Sequence, residues 1–376
     1  MYVRVFTAGA IVAAALIAPS PALAQQAAPA APELAKAPLT VVTTQLNNPR
    51  GLAFGPDGAL YVAEAGKGGV GPCLPGPEGL NCFGTSGSLA RIKNGVKTRV
   101  LTGLPSMAHQ DGTNAIGPSD VTFLGLGALT IGLGADPAVR NQLPAAGKQF
   151  AGVYAFVPGP ITPKPTLKKV ADIGAYEQSV NPDGGEVDTN PQSVAFGPGG
   201  MAVSDAGGNA LLGVSASGAV KTLAVFPERC CATAPPFLGL PPGTQIPFQA
   251  VPTGVAYHQG AYYVTQLTGF PFPANKANIY RVVPGKAPVV VASGLTNVID
   301  VAVAGNGTVY ALEIAHDTLL SPAPSGRLLK IRPGQSPLTL AAGLTFPGGL
   351  TLHQGYAYVS DCGICAGGGR VVRLPL

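Results

Sequence analysis

The stretch PRGLAFGPDGALYVAEAG, residues 49–66, carries the pattern that decides the fold. Two short apolar runs alternate with period two, a Gly-containing turn joins them, and an acid closes the second run. Such alternation predicts β-strands, and Pro56-Asp57-Gly58 predicts the hairpin between them. Five degenerate copies follow: PSDVTFLGLGALTIGLG from Pro118, PQSVAFGPGGMAVSDAGG from Pro191, PTGVAYHQGAYYVTQLTG from Pro252, NVIDVAVAGNGTVYALEI from Asn297 and PGGLTLHQGYAYVSDCG from Pro347.

A third and a fourth strand follow most copies, for example SLARIKNG and KTRVLTGL after the first. Four antiparallel strands in each of six repeats predict an all-β fold, a six-bladed β-propeller. The last copy lacks a fourth strand, whereas the segment Leu39–Leu46 precedes the first copy with no partner. Placing this segment as the outer strand of blade six closes the ring and protects its edge. We therefore expect residues 39–376 to form a single propeller domain.

The N-terminus predicts export. Residues 1–24 combine Arg4, an apolar stretch from Ala8 to Ile17 and the small residues Ala22 and Ala24, which is typical of a secretory signal peptide. Residues 25–38 are rich in Ala and Pro and predict a flexible leader. Later apolar runs are too short to span a bilayer, so we expect a secreted or periplasmic protein with no membrane span after cleavage.

Composition limits the partners. The net charge is +5, the basic residues are dispersed and only 11% of residues are charged, so nucleic acid is not an expected partner. The expected partner is a small molecule, a glycan or a protein. The long connections fall between strands two and three and between blades, on one face of a propeller. Long connections in a compact domain are usually functional, so this insert-bearing face is the predicted binding face.

Polar residues at the strand ends of that face are the predicted ligand-binding residues of the channel mouth: Arg50, Glu64, Asp120, Gln192, Asp205, Gln266, Asp300, Glu313 and Asp361. A ring of carboxylates suits a hard cation, so Ca²⁺ is the possible cofactor. The same acids can equally cap backbone amides or pair with Arg50. Both interpretations stay open at this point.

Two polar loops add candidates. Residues 181–191 hold Asp183, Glu186 and Asp188, an oxygen-rich set that suits a metal, although Asx-turns explain the same composition. His109, directly before the second copy, is a candidate general base or a structural hydrogen-bonding residue. Sequence motifs for a serine nucleophile, a zinc protease or a phosphate-binding loop are absent.

The six cysteines lie in inserts of the predicted binding face, and export predicts that they are oxidised. Cys73 and Cys82 share one loop and are the expected pair. Adjacent cysteines bond to each other only with strain, so we expect Cys230 and Cys231 to pair elsewhere. Bonds to Cys362 and Cys365 would turn the 227–251 loop into a covalent lid.

Three phrases together resemble one family: NNPRGLAFGPDGALYVAEAG from Asn47, HQDGTNAIGPSDVTF from His109 and NPDGGEVDTNPQSVAF from Asn181. They are similar to the ScyD/ScyE-type family of exported proteins, over most of the chain. The resemblance implies a six-bladed propeller of the NHL and strictosidine-synthase-like group, and implies no particular reaction. The chain departs from the family pattern in its cysteine-bearing inserts and at Gln192-Ser193.

Two classes of function remain. A binding propeller is the main prediction, because no complete catalytic constellation is present. The first alternative is an enzyme, a Ca²⁺-dependent lactonase-like hydrolase that uses the acids to hold a metal and activate water. The second enzyme alternative resembles a quinoprotein sugar dehydrogenase with His109 as the base. The motif around the base of those enzymes continues differently, because here Thr113 and Asn114 follow Gly112.

Overall fold

The computed structural model describes residues 38–76, 79–159 and 166–376. In these residues six antiparallel sheets form the blades of a six-bladed β-propeller, which confirms the predicted all-β fold. The expected signal peptide, residues 1–24, lies outside the described residues. So does the expected leader, residues 25–38, apart from its last residue.

The strands are numbered along the chain. The N-terminal strand and blade 1 contain β1 (Thr40–Leu46), β2 (Pro49–Phe54), β3 (Leu60–Glu64), β4 (Cys73–Gly76), β5 (Gly79–Lys93) and β6 (Val96–Ala108). Blades 2 and 3 contain β7 (Pro118–Leu124), β8 (Leu126–Ile131), β9 (Gly152–Phe156), β10 (Lys168–Asp172), β11 (Pro191–Gly197), β12 (Gly200–Asp205), β13 (Ala210–Ser215) and β14 (Val220–Val225). A hairpin of β15 (Arg229–Thr233) and β16 (Gln245–Phe248) follows. Blades 4 to 6 contain β17 (Pro252–His258), β18 (Ala261–Gln266), β19 (Ala277–Val282), β20 (Val289–Leu295), β21 (Val298–Val303), β22 (Val309–Glu313), β23 (Gly326–Ile331), β24 (Leu338–Leu344), β25 (Gly349–His353), β26 (Tyr356–Asp361) and β27 (Gly369–Pro375).

The ring closes as predicted from the two ends of the chain. Blade 6 has the strand order β1-β27-β26-β25, so the N-terminal strand supplies its outer edge. β1 pairs antiparallel with β27, with Thr40 opposite Arg373 and Leu46 opposite Gly369. The last blade therefore has four strands, like its neighbours, and the first and last segments hold each other in place.

The core is divided among the gaps between neighbouring blades. Alternation along β12 sends Val203 into the cluster shared with blade 2 and Ala202 into the cluster shared with blade 4. Similar clusters fill the other gaps, including the closing gap, where Leu52 and Val62 meet Tyr358 and share one cluster. Each fully buried Val or Leu side chain stabilises the fold by roughly 1.5–3 kcal/mol. The apolar clusters in the six gaps between neighbouring blades therefore hold the ring together.

The inserts carry secondary structure of their own. Residues 66–87 hold β4 and the extension of β5, and residues 227–251 hold the β15–β16 hairpin. Residues 134–150 contain two 3₁₀ turns, Pro137–Gln142 and Ala145–Gln149, and Pro236–Leu238 forms a third. No helix within the described residues has the length and apolarity needed to cross a membrane.

An α-helix, α1 (Ile173–Val180), lies in the connection between blades 2 and 3, where the sequence predicted only a loop. The Asp172 side chain caps it by accepting a hydrogen bond from the Ala175 amide at 2.9 Å. Arg140 holds the same carboxylate at 2.8 Å. The helix ends at Val180, Asn181 follows as its cap with φ +43°, and the Glu177 side chain lies beside Gly208 in the β12–β13 connection.

The disulfides are all local. Cys73 pairs with Cys82 across the β4–β5 hairpin, Cys230 with Cys231, and Cys362 with Cys365. The expected bonds between the last two pairs are not formed, so the predicted covalent lid is wrong. The pairs lie over different blades: Arg229, beside Cys230, bonds to Gln266 of blade 4, whereas Cys365 accepts from the Asn48 amide at the start of blade 1.

Candidate ligand-binding site at the channel mouth

A cavity of about 200 Å³ opens at the mouth of the central channel on the insert-bearing face. Four polar residues line it: Arg50, Ser119, Asn190 and Gln192. Most of its apolar wall comes from the other side of the ring, from Leu267, Ile299, Ile314 and Leu319, and Ile116 adds to it from the segment before blade 2. The cavity therefore combines one cation, one hydroxyl and two amides with an aliphatic surface.

Arg50 is the only charged side chain in that lining and has no carboxylate partner among the described residues. Its Nη2 donates one hydrogen bond, to the Ala115 carbonyl at 2.7 Å. Burial lowers the pKa of Arg50 to about 10, so the guanidinium keeps its charge at neutral pH but is poorly hydrated. A half-buried guanidinium with free donors is suited to a carboxylate or another planar oxyanion.

Deeper in the channel, Asp120 on β7 and Asp300 on β21 line a second cavity of about 400 Å³. The third position of the repeated phrase, counted from Val298 in blade 5, reads Gly51, Asp120, Ser193, Gly254, Asp300 and Gly349 around the ring. The two acids are thus three blades apart. Asp120 packs closely on Gly51 of blade 1, and Asp300 packs closely on Gly254 of blade 4, where a Cβ would collide.

Both channel acids tie neighbouring blades together. Asp120 accepts from the Val194 amide at 2.9 Å and the Ser193 hydroxyl at 2.6 Å, and Asp300 accepts from the Leu350 amide at 2.7 Å. Burial raises the pKa of Asp120 to about 6, against the lowering effect of its hydrogen bonds. Burial, together with the charge of Asp120, holds the pKa of Asp300 well above its ordinary range. These acids join blades and repel each other across the channel.

The mouth and channel residues occupy two layers because the innermost strands bulge. The register of β2, β7, β11, β17 and β21 against the second strand shifts just after the first residue of the phrase. Arg50 and Gln192, at the second position, line the mouth, whereas Asp120 and Asp300, at the third, line the channel below. A bulge of this kind redirects side chains next to it.

The residues that close the second strands form a third set, buried inside the blades. Glu64, Asp205, Gln266, Glu313 and Asp361 are all 0% exposed, and none of them lines the mouth cavity. Each acid among them accepts a backbone amide of the segment that leads into its own blade: Asn47, Asn190, Thr296 and Thr345 at 2.6–2.8 Å. They clamp blades 1, 3, 5 and 6 to the connections that precede them.

Arginines neutralise three of these acids. Glu64 pairs with Arg99 at 2.7 Å and Asp361 with Arg370 at 2.7 Å. Glu313 pairs with Arg327. With charge-assisted bonds and backbone amides on their oxygens, these carboxylates do not present the set of free oxygen ligands that a metal in the mouth requires.

Asp205 has a different surrounding. It accepts from Thr189 Oγ1 at 2.5 Å and from backbone amides, but no arginine or lysine is bonded to it among the described residues. Ala210 occupies the facing position on β13, where blade 6 has Arg370 and blade 5 has Arg327. Burial raises the pKa of Asp205 despite these hydrogen bonds.

Three more acids lie near Asp205: Glu177 on α1 and Asp183 and Asp188 in the loop that follows. Burial, and then the charges of Asp205, Asp183 and Asp188, raise the pKa of Glu177 to about 8. Burial and the neighbouring acids also raise the pKa of Asp188 to about 6. We call these four residues the blade 3 acid cluster. Glu186, the remaining candidate of this loop, is exposed.

Sequence reasoning missed Glu177 and the mouth residue Asn190. Glu177 belongs to a helix that the sequence did not predict, and nothing in its own neighbourhood marks it. Asn190 directly precedes the third copy of the phrase, which begins at Pro191. This position next to the start of an innermost strand could have predicted that it lies at the channel mouth. His109 lies in a backbone turn closed by its amide and the Thr113 carbonyl at 3.1 Å, and it does not line the mouth cavity.

Comparison with known proteins shows the fold. No protein-family model matches the chain, and no curated protein matches it. Among solved structures, a gluconolactonase from Xanthomonas campestris is 10% identical with a TM-score of 0.52, over 90% of each chain. A putative oxidoreductase (glucose dehydrogenase) from Thermus thermophilus is 17% identical with a TM-score of 0.51, over 90% of this chain and 99% of that one. A calcium-binding regucalcin from Agrobacterium tumefaciens is 11% identical with a TM-score of 0.48, over 90% and 93%. The predicted resemblance to the ScyD/ScyE-type family stays a prediction.

Proposed function

We propose that this chain is an exported binding propeller that holds a small carboxylate with an aliphatic body at the channel mouth. The observation that carries the proposal is Arg50, a half-buried guanidinium in the mouth cavity without a carboxylate partner in the described chain. A ligand carboxylate would supply the missing charge and accept the free donors of the guanidinium. Asn190 and Gln192 would orient the ligand from the same wall.

The size and wall of the cavity narrow the ligand class. A volume of about 200 Å³ is below the range of roughly 300–1,000 Å³ that is usual for drug-sized ligands. Ile299, Ile314 and Leu319 would contact the aliphatic part of the ligand opposite the guanidinium. A short-chain fatty acid or an aliphatic hydroxy acid has this combination of groups.

The lactonase-like alternative requires free carboxylates at the mouth to hold a metal. Glu64, Glu313 and Asp361 are instead committed to Arg99, Arg327 and Arg370. Similarity to a gluconolactonase at 10% identity supports the fold and does not carry the activity. Binding without turnover is therefore the better supported function.

The test compares Arg50 with an arginine outside the site. Isothermal titration calorimetry with butyrate, hexanoate, gluconate and phosphate should show binding of the aliphatic carboxylates to the wild-type protein. Arg50→Lys should weaken it and Arg50→Gln should abolish it, because lysine cannot donate a bidentate pair. Arg332→Gln, an exposed arginine, should bind like wild type. Equal binding by Arg50→Gln, or Ca²⁺-dependent hydrolysis of gluconolactone in a pH-stat assay, would contradict the proposal.

A further inference from the structure

The blade 3 acid cluster lacks a counter-charge that the other blades supply. The position that closes the second strand is an acid in blades 1, 3, 5 and 6, and in three of them an arginine lies on it. In blade 3 the facing residue is Ala210, which is fully buried and carries no charge. The charges that act on Glu177 are all acidic, from Asp205, Asp183 and Asp188.

Glu177 is the second observation. Its side chain is 1% exposed, and its Oε1 atom is buried without any hydrogen-bond partner in the described chain. An unpaired buried carboxylate oxygen loses hydration without compensation and costs free energy. The buried Oδ1 of Asn181, four residues further on, also has no partner among the described residues. The Asn181 amide donates to the Glu177 carbonyl at 2.9 Å, so both residues belong to the C-terminal turn of α1.

Gly208 shows how closely the carboxylates approach each other. An ideal Cβ on Gly208 would lie 2.7 Å from Oε2 of Glu177 and 3.5 Å from Cγ of Asp205. Both carboxylates therefore border the same small volume beside the backbone, which only a glycine leaves open. Asp183, fixed by the Asn209 amide at 2.9 Å, and Asp188 lie close enough to act on Glu177 electrostatically.

We propose that a hard divalent cation of the Ca²⁺ class binds between Glu177 and Asp205 and takes the place that an arginine guanidinium has in blades 1, 5 and 6. The site lies beside blade 3 and α1 and is separate from the channel mouth, so it does not depend on the proposed ligand. It would fasten the α1 insert to the edge of blade 3. Asp183 and Asp188 would add negative charge around the ion.

The available oxygens fit calcium better than smaller ions. In the described residues no group of three or more His, Cys, Asp or Glu side chains is already arranged around a single metal position. The site therefore rests on two carboxylates, with backbone carbonyls and water as the remaining ligands. Ca²⁺ accepts such mixed and irregular sets of six to eight oxygens, whereas Mg²⁺ demands near-ideal octahedral geometry.

The experiment measures bound metal and stability together. The full-length protein after signal cleavage is stripped with EDTA and dialysed against about 1 mM Ca²⁺, the upper end of the range used by extracellular calcium modules. Bound calcium is counted by mass spectrometry, and the melting temperature is recorded with and without the ion. We expect one ion per chain and a higher melting temperature with Ca²⁺. Mg²⁺ at the same concentration should give a smaller increase.

Two variants of the same region locate the ion. Glu177→Gln keeps the size of the side chain and removes its charge, so it should lower calcium affinity at least about tenfold. In EDTA this variant should melt at a higher temperature than wild type, because the raised pKa of Glu177 forces the folded wild-type protein to bind a proton at neutral pH, and glutamine removes that cost. Glu186→Gln removes an exposed acid of the neighbouring loop and should bind calcium like wild type. If Glu177→Gln does not fold, Asp188→Asn is tested in its place, with a smaller but measurable loss of affinity expected because Asp188 only adds negative charge around the ion.

Three results would overturn the proposal. The first is a wild-type protein that binds no calcium and melts at one temperature in Ca²⁺ and EDTA. The second is a Glu177→Gln variant with unchanged stoichiometry and affinity, which would put the ion elsewhere. The third is equal loss of affinity in Glu186→Gln, which would indicate only a diffuse attraction to acidic surface.

Discussion

In blade 6 the acid that closes the second strand, Asp361, faces Arg370 across the sheet, whereas in blade 3 the corresponding Asp205 faces Ala210. Both acids are fully buried, and both clamp the segment that enters their own blade. The same backbone position thus has two electrostatic environments. Where an arginine is present, the acid forms a structural ion pair with it. Where it is missing, further acids gather, and we infer that an ion completes the site.

Removing an arginine should give the largest effect. Arg327→Met leaves Glu313 buried with a backbone amide as its remaining donor. Breaking one side of a buried pair costs about 3 kcal/mol, and we take the lower end of the usual range because the Arg327 side chain is 27% exposed. Urea denaturation should show this loss, and adding Glu313→Gln should recover part of it. Ca²⁺ should not rescue the variant. A loss below about 1 kcal/mol would show that the pair contributes little.

Two buried hydroxyls compare the environments directly. Ser88 donates to Glu64 at 2.8 Å beside Arg99, and Thr189 donates to Asp205, which has no arginine. Ser88→Ala should cost about 1 kcal/mol, because Glu64 keeps its ion pair. Thr189→Val should cost about 2 kcal/mol in EDTA and also weaken Ca²⁺ binding, since Asp205 then loses a side-chain donor. If urea denaturation shows that both variants lose the same free energy of unfolding, the proposed electrostatic difference between blades 1 and 3 is wrong.

The smallest effect is a pH dependence at Asp188. Its pKa is about 6 in the folded protein, against an ordinary value of 3.8, so the folded state keeps a proton that the unfolded chain has released. In EDTA the stability of wild type relative to Asp188→Asn should therefore fall as the pH rises from about 4 to about 6 and stay level above that. We expect a change of about 1 kcal/mol or less for this half-buried group. Melting temperatures across this range check it, and a difference that rises with pH would contradict the sign.

The fold was predictable because the repeated phrase states it locally. Alternating apolar residues and Gly-containing turns predict the hairpins at Pro56-Asp57-Gly58 and its counterparts, and the unpaired Leu39–Leu46 segment predicts how the ring closes. These signals are short-range. The bulge in the innermost strands is not visible in the sequence, so Arg50 and Asp120 were expected in one layer and lie in two.

The site was less predictable because it depends on contacts between distant segments. Arg99, Arg327 and Arg370 lie on third or fourth strands, and no spacing rule connects them with the acids they neutralise. Glu177 approaches Asp205 only because α1 forms in an insert that has the composition of a loop. The disulfide pairing of Cys230 and Cys362 was unpredictable for the same reason. Whether two inserts are close enough for a disulfide depends on which blades carry them, and the spacing in the sequence does not give this distance.

An anomalous difference map tests the central claim most directly, namely that a cation takes the place of an arginine in blade 3. Crystals grown with Tb³⁺ as a calcium substitute would be measured at the terbium absorption edge. We predict a strong peak at about 2.3–2.6 Å from carboxylate oxygens of Glu177 and Asp205, and no peak beside Asp361. A map without density between Glu177 and Asp205, at a Tb³⁺ concentration that saturates binding in solution, would contradict the account.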